Sequence, residues 1–231
     1  MLLKAVLITS VLALISCTST PPAPIEIPCI NNPEPKGKAF LLESFEEGNF
    51  WQAVKDSWDK WETHNLSLKA EISKDWATKG KASGLWKFDA MPKESSMQSS
   101  FTCESLLKND WTPYNEIVID FNNISEDPLQ VNVAVQDSLE WKWTATQPLL
   151  LGKGENKNVR FSLVEGLESD GLPVEALSHA DKIQCLMIQV LGENMGGQIM
   201  VDNIRLIKTD DPLPSASSEP EADPKSKTKS K

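Results

Sequence analysis

The 231-residue sequence contains only two histidines, four cysteines and one tyrosine. Neither histidine, His64 or His179, lies in a serine, cysteine or metal motif that would give it a role in acid–base or nucleophilic catalysis. Basic residues are also scarce: 23 Lys and Arg stand against 33 Asp and Glu, for a net charge of −10. Because nucleic-acid binding depends on neutralising phosphates with Lys and Arg, this balance argues against a nucleic-acid partner.

The four cysteines match no zinc-binding spacing. Cys29 lies in a proline-rich segment, whereas Cys103 and Cys185 lie in apolar segments typical of strands. The latter two either form one disulfide, if their strands are neighbours, or remain two buried thiols.

No apolar segment has a sustained helical period, and only Val174 to His179 is compatible with a turn or two of helix. Period-two alternation is clear instead at Leu129 to Gln136, where Leu129, Val131, Val133 and Val135 share one face. About ten such short segments are separated by Pro, Gly, Asn and Asp, which predicts an all-β fold, an antiparallel sandwich or barrel. The same pattern recurs at Glu116 to Phe121 and Asn158 to Leu163, and further strand candidates include Glu140 to Ala145 and Gln198 to Ile207.

The first 16 residues predict a signal peptide, because the run from Ala5 to Ile15 is apolar, uncharged and too short to span a bilayer. Leu14-Ile15-Ser16-Cys17 resembles the lipobox of bacterial lipoproteins, with an ordinary signal peptide and a chance cysteine as the alternative. The resemblance implies that Cys17 carries lipid, palmitate included, and anchors the chain to the bacterial envelope membrane. Thr18 is not the Asp that favours inner-membrane retention, so the outer membrane is expected.

The composition divides the rest of the chain into three parts. Residues 17–38 contain six prolines, which predicts an extended tether. Residues 209–231 have almost no large apolar side chain, which predicts a disordered tail. Residues 39–208 are enough for one domain with a sizeable core.

One strand raises a specific question. In Gly197 to Ile207, "GQIMVDNIRLI", the polar pair Asp202-Asn203 interrupts an aliphatic run. A buried carboxylate is unfavourable unless a partner compensates for lost hydration. Asp202 therefore needs a cation, a Lys or Arg partner, or a bulge that it caps, and Asn203 is expected at a turn or bulge.

Six motifs follow one another in an order that resembles a known family. They are "SFEEGNFW" (44–51), "TKGKASGLWKF" (78–88), "DWTPYNEIVIDFNN" (110–123), "LQVNVAVQD" (129–137), "LLLGKGENKNVRFSL" (149–163) and "IMVDNIRL" (199–206). Together they are similar to the carbohydrate-binding jelly rolls of the galactose-binding-like superfold, particularly the β-glucan-binding modules attached to bacterial glycoside hydrolases. The resemblance covers Phe40 to Lys208, implies a jelly-roll sandwich, and expects Trp51 and Trp111 in structural positions.

The resemblance also implies a structural calcium ion between the opening and closing strands. Its ligands would be Glu46 and Asp202, with backbone carbonyls near Lys79 and Lys81. Calcium accepts such a mixture of carboxylate and carbonyl oxygens. Asp202 would then be buried against a cation.

In the same family, glycans bind on the concave face of one sheet. The implied floor here is Gln130, Asn132 and Gln136, with Asp120, Arg160 and Gln189 as neighbours. Trp141 and Trp143 flank Lys142, so on a strand they would share a face about 7 Å apart and stack on sugar rings, or else plug the core. Trp58 and Trp61, in a polar segment, either contact the ligand at the rim or cover the end of the barrel.

These residues together imply a binding function without catalysis. The expected protein is an envelope-anchored binding lipoprotein that recognises a poly- or oligosaccharide. A protein–protein interaction or assembly subunit of the envelope is the alternative, because the same fold serves both purposes. An indole exposed beside amides would favour the sugar.

Overall fold

The computed structural model describes residues 26–54, 68–89, 99–191 and 196–210. Within these ranges, no helix is both long and apolar enough to cross a membrane. The regular structure there consists of fourteen strands and one short 3₁₀ turn, Ala180–Lys182. The strands are β1 Lys38–Glu43, β2 Gln52–Val54, β3 Leu68–Ser73, β4 Ser83–Phe88, β5 Ser99–Cys103, β6 Glu116–Asn123, β7 Leu129–Asp137, β8 Trp143–Ala145, β9 Leu149–Leu151, β10 Gly154–Ser162, β11 Leu167–Ser169, β12 Leu172–Val174, β13 Ile183–Leu191 and β14 Gly197–Lys208.

The strands pair into two antiparallel sheets. The six-stranded sheet has the order β10-β6-β14-β4-β3, and β1 pairs with the second half of β14. The eight-stranded sheet has the order β12-β11-β8-β7-β13-β5-β2, and β9 pairs with the first half of β7 beside β8. The predicted all-β, antiparallel sandwich with jelly-roll topology is confirmed.

The core lies between the two sheets and consists of the aliphatic positions that alternation predicts. Ile117, Ile119 and Phe121 of β6 and Val131 and Val133 of β7 are fully buried. Burial of such side chains is the main stabilising contribution to the fold, about 1.5–3 kcal/mol each. The alternation of polar and apolar residues therefore correctly assigns the inner face of both sheets.

Aromatic side chains fill one part of this core. The Trp86 ring stacks on Phe101 with 4.6 Å between ring centroids, and Trp51 lies 5.0 Å from Trp86. Trp111 is also buried, and its indole N–H donates to the backbone oxygen of Lys108. Trp51 and Trp111 thus have the structural positions that the family resemblance implies.

Two local predictions are wrong. The segment Glu140 to Ala145 is a strand only from Trp143, because Asp137 accepts hydrogen bonds from the amides of Leu139 and Glu140 and closes a turn. No helix forms from Val174 to His179; the only helical turn among the described residues there is Ala180–Lys182. Besides β8, four more strands have only three residues and are too short to show alternation in the sequence: β2, β9, β11 and β12.

The segment before β1 is part of the fold, which corrects the predicted tether and its boundary at residue 38. Asn31 forms a parallel bridge with Lys157 of β10, and Asn32 exchanges side-chain hydrogen bonds with Asn158. The amide of Ile30 donates to Asn156 Oδ1 at 2.8 Å. We call residues 26–36 the docked N-terminal segment.

The backbone of the docked N-terminal segment passes very close to Gly152, where a Cβ atom would lie 2.4 Å from the carbonyl oxygen of Ile27. Only glycine permits that approach. At the other end of the domain, Thr209 exchanges hydrogen bonds with Asn115, so the fold extends one residue past the predicted boundary. The folded unit therefore includes residues at both ends that composition assigned to tether and tail.

The strands of Cys103 and Cys185 are neighbours, yet both thiols are free. In the pairing of β13 with β5, Leu186 and not Cys185 lies opposite Cys103. Cys103 belongs to the core cluster, which does not include Cys185. Burial raises the pKa of the Cys185 thiol to about 12, so this residue is an unreactive buried thiol.

Candidate functional site

The outer face of the eight-stranded sheet carries a band of neutral polar side chains. Gln130, Asn132 and Gln136 alternate along β7 with the buried valines. Across the strands, Asn132 pairs with Gln189 of β13, and Gln189 pairs with Ser100 of β5. The sheet thus brings Gln189 beside Asn132, as expected. We call these five residues the amide band.

The members of the amide band differ in how completely they are hydrogen-bonded. Gln136 uses both ends of its amide: its Nε2 donates to the carbonyl oxygen of Trp141, and its Oε1 accepts from Gln184, each at 2.9 Å. Asn132 is only 7% exposed, and its Oδ1 has no hydrogen-bond partner among the described residues. Gln189 and Ser100 are also buried, whereas Gln130 is exposed. Gln130 and the Oδ1 of Asn132 therefore retain more hydrogen-bonding capacity than Gln136 does.

Trp141 and Trp143 do not form the expected pair on one strand. Trp143 begins β8, is half-buried and lies opposite Gln136. Trp141 precedes the strand with a positive φ of 56° and is 67% exposed. Neither indole belongs to the hydrophobic core cluster, so the core-plugging alternative is not supported. Trp141, whose side chain is exposed, lies at the margin of the amide band, where its carbonyl oxygen accepts from Gln136 Nε2.

Asp120 and Arg160 lie in the other sheet, which corrects their expected place beside Gln130. Arg160 of β10 forms a two-pronged ion pair with Glu116 of β6, including Nε to Oε2 at 2.6 Å, and their side chains are 6% and 4% exposed. Asp120 accepts hydrogen bonds from Thr78, Asn203 and the amide of Asn158. Both residues are structural because their charges are satisfied within the outer layer of the six-stranded sheet.

Asp202 is fully buried, and backbone amides are its partners. Its Oδ2 accepts from the amides of Thr78 and Lys79 at 2.6 and 2.7 Å, and its Oδ1 accepts from the amide of Asn203. Asn203 has a positive φ at an irregularity of β14, which confirms the predicted bulge. Burial raises the pKa of the Asp202 carboxyl, although the three amides oppose this shift. The carboxylate therefore joins the 78–79 turn to the last strand.

Glu46 makes a similar contact with the next residues of the same turn. Its Oε1 accepts from the amides of Lys81 and Ala82 at 2.6 and 2.7 Å. These two amides lower the pKa of the Glu46 carboxyl. Glu46 and Asp202 thus hold the 78–82 turn from two sides, as the resemblance implies, but through N–H donors.

This donor arrangement does not fit a calcium ion held by Glu46 and Asp202. Calcium requires six to eight oxygen ligands, and here four backbone N–H groups point at the two carboxylates. Within the described ranges, no group of three or more His, Cys, Asp and Glu is placed to hold a metal ion. Calcium binding stays an implication of the family resemblance, which melting with and without a chelator tests.

Three predicted site residues, Trp58, Trp61 and Cys17, lie outside the described residues. Sequence reasoning did not single out Asp137, whose carboxylate anchors the turn that carries Trp141. The Asp-Ser before a Leu-Glu-Trp stretch was the available signal, because Asp side chains often bond to the amides two and three residues ahead.

No protein-family model matches the sequence, and no curated protein matches it. Among solved structures, it is similar to the family 11 carbohydrate-binding module from Clostridium thermocellum in complex with a β-1,3-1,4-mixed-linked tetrasaccharide. The TM-score is 0.55 at 13% identity, over 74% of this chain and 96% of that one.

Two further structures have a similar fold. A family 28 carbohydrate-binding module, described as specific for non-crystalline cellulose, matches with a TM-score of 0.50 and 16% identity over 75% of this chain and 97% of that one. An exo-β-agarase matches with a TM-score of 0.51 and 15% identity, over 75% of this chain but only 25% of the enzyme. The chain therefore has the jelly-roll sandwich fold found in these carbohydrate-binding modules.

Proposed function

We propose that this protein is a non-catalytic binding lipoprotein of the bacterial envelope that binds a polysaccharide on the outer face of its eight-stranded sheet. The observation that carries the proposal is the exposed indole of Trp141 beside the amide band. A sugar ring presents an apolar face that packs on an indole, and hydroxyls that bond to amides.

The charge of the amide band favours a neutral glycan. Gln130, Asn132, Gln189 and Ser100 carry no charge, and each amide both donates and accepts hydrogen bonds, as a sugar hydroxyl does. The net charge of −10 disfavours an anionic polymer through long-range repulsion. A neutral chain of hexoses is therefore the ligand class that this surface suits.

The similar structures support the same choice. The two carbohydrate-binding modules match this chain over nearly their whole length, and their descriptions name a mixed-linked glucan tetrasaccharide and non-crystalline cellulose. At 13% and 16% identity, these structures support a shared fold. The ligand of this chain is therefore identified by a direct binding experiment.

Affinity gel electrophoresis tests glycan binding. We expect gels containing mixed-linkage β-1,3-1,4-glucan or a soluble cellulose derivative to retard the full chain, and gels containing dextran, an α-linked glucan, to leave it unchanged. The double variant Asn132→Ala, Gln189→Ala should lose most of the retardation because it removes the centre of the amide band. Leu107→Ala, which truncates an exposed side chain outside the band, is the matched control.

A different outcome of these binding experiments would contradict the proposal. If no β-linked glucan retards the chain and a glycan array gives no signal, the polysaccharide proposal is wrong. The alternative of a protein partner would then be tested with envelope extracts.

The anchor rests on Leu14 to Cys17. In bacteria that produce the full chain, we expect labelled palmitate to be incorporated and the protein to fractionate with the outer membrane. Cys17→Ser should abolish both, whereas Cys29→Ser should abolish neither. Label that persists in Cys17→Ser would contradict lipidation at this residue.

A further inference from the structure

Six described residues other than glycine have a positive φ, and five of them have an evident reason for it. Asn158, Asp170, Asn203 and His179 belong to the residue types that tolerate the left-handed region. Phe45 is bulky, but it is 1% exposed, so core packing compensates for the strain. Trp141 is the exception, because a large aromatic residue at φ 56° is 67% exposed and gains little from burial.

The turn that carries Trp141 is fixed by contacts on both of its sides. Asp137 Oδ1 accepts from the amides of Leu139 and Glu140 at 2.9 and 2.6 Å. Gln136 Nε2 donates to the carbonyl oxygen of Trp141 itself. The amide of Ser138 donates to the carbonyl oxygen of Lys182 at 2.9 Å.

These contacts explain how the strained residue persists. A residue in a sparsely populated backbone region is stable only where its surroundings over-determine it, and such residues concentrate at functional sites. None of the contacts involves the indole of Trp141; all of them hold the backbone. These contacts therefore stabilise a strained backbone conformation, and that conformation sets the direction of an exposed side chain.

We propose that the Asp137–Lys142 turn is a preorganised ligand-contact element, in which Asp137 and Gln136 are positioning residues that hold the Trp141 indole against a sugar ring. This inference rests on the proposed function and adds to it. It moves Gln136 from direct ligand contact to a positioning role, and it assigns Asp137 a role in binding. The indole extends the binding surface beyond the amide band to the end of the sheet.

The geometry also limits the ligand. An exposed indole suits a ring with one continuous apolar face, such as glucopyranose, and suits less well a ring whose axial hydroxyl interrupts that face. Because the turn is already ordered, binding does not require the loop to lose conformational freedom, which favours affinity.

A double-mutant cycle tests the positioning role. We expect Trp141→Ala to weaken binding to the glucan that retards the wild type by about tenfold, which corresponds to one good aromatic contact. Gln136→Leu and Asp137→Asn should each weaken binding severalfold in the wild-type background. In the Trp141→Ala background neither should weaken it further, because they act through the indole.

The two roles of Gln136 give different outcomes in this cycle. A direct contact of Gln136 with the ligand would weaken binding equally in both backgrounds and would overturn its assignment as a positioning residue. If Asp137→Asn does not fold, Gln136→Leu completes the cycle alone. Leu107→Ala is again the control and should bind like the wild type.

A stability measurement tests the strain independently of any ligand. Glycine adopts a positive φ without steric cost, so Trp141→Gly should melt higher than Trp141→Ala, by about 2–4 °C for a domain of this size. Equal melting temperatures would contradict the preorganised turn.

Failure of the inference and failure of the proposed function give different results. If the wild type binds a β-glucan and Trp141→Ala binds it equally well, the inference is wrong and the amide band alone carries binding. If the wild type binds no glycan, both are wrong.

Discussion

The outer faces of the two sheets present contrasting surfaces. On the six-stranded sheet, Arg160, Glu116, Asp120 and Asp202 form a buried layer in which each charge has a partner. On the eight-stranded sheet, neutral amides lie beside the exposed indole of Trp141. Polar residues alternate with apolar ones on both faces, yet one set satisfies its charges within the fold, whereas the other includes the exposed Gln130 and a buried Asn132 whose Oδ1 has no partner among the described residues.

The docked N-terminal segment contributes to this difference. It lies along β10, and Glu34 forms an ion pair with Arg205, whose other terminal nitrogen donates to Asn158. The Glu34 side chain thereby connects this segment to Arg205 of β14, which in turn contacts Asn158 of β10. Part of the chain is therefore packed along β10 of the six-stranded sheet, which restricts the access of a ligand to that strand.

The largest effect should come from breaking the buried ion pair. Glu116→Ala leaves the Arg160 guanidinium buried without its carboxylate, so the free energy of unfolding should fall by about 3–5 kcal/mol. Urea denaturation measures it. Glucan binding per folded molecule should be unchanged, because the pair lies on the opposite sheet.

The matched control for this prediction replaces both charges. A Glu116→Leu, Arg160→Met double variant should recover most of the lost stability, because an apolar pair avoids the desolvation cost. A double variant as unstable as Glu116→Ala would show that packing, and not the uncompensated charge, causes the loss.

A smaller effect is expected where the docked N-terminal segment joins β10. Asn156 is fully buried, donates to the carbonyl oxygens of Gly152 and Gly154, and accepts from the amide of Ile30. Asn156→Ala leaves these groups unpaired and should cost about 1–3 kcal/mol. Hydrogen exchange at the Ile30 amide should become faster. After correction for the lower global stability of the variant, exchange of the β7 amides should match that of the wild type.

Two buried carboxylates, Asp202 and Asp137, should respond to pH with opposite sign. Burial raises the folded-state pKa of Asp202 above its ordinary 3.8, so its stabilising contribution is present below pH 3.8 and is lost as the pH rises through the raised value. For Asp137, burial is outweighed by the amides of Glu140, Leu139 and Lys142, which lower the pKa. Its contribution is present above pH 3.8 and is lost as the pH falls through the lowered value.

Melting curves of two variants between about pH 2.5 and pH 7 check the opposite pH dependences of these two stability contributions. The wild type should lose stability relative to Asp202→Asn as the pH rises, and should gain it relative to Asp137→Asn. The same sign for both variants would refute the assignment.

The smallest effect is expected from metal removal. Because backbone amides already satisfy Glu46 and Asp202, a chelator should leave the melting temperature unchanged. A higher midpoint in saturating calcium that Glu46→Gln removes would instead support the ion that the family resemblance implies.

The sequence predicts the inner faces of this fold well and the outer faces poorly. Val131 and Val133 have to face the core whichever strand lies beside them, because period-two alternation is a local property. Asp120, Arg160 and Gln130 obey the same alternation, but only the strand order assigns the first two to one sheet and the third to the other. Strand order depends on long-range pairing, which no local pattern reports.

The candidate site shows a similar limit. Trp141 and Trp143 were expected on one strand because their spacing is two, but the hydrogen bonds of Asp137 end the strand pattern before Trp143. The amide partners of Asp202, Thr78 and Lys79, could not be identified from the sequence because they lie more than 120 positions away. In both cases the partner is a backbone amide, and every residue except proline has one.

The docked N-terminal segment also affects self-association. β10 is the terminal strand on one side of the six-stranded sheet, and such strands attract other chains through unpaired backbone groups. The amide of Asn32 donates to the carbonyl oxygen of Lys157, and the amide of Lys157 donates to that of Ile30. At this point the chain occupies its own sheet edge, so a second copy crowded beside it finds no free backbone groups at Lys157 with which to begin an intermolecular sheet.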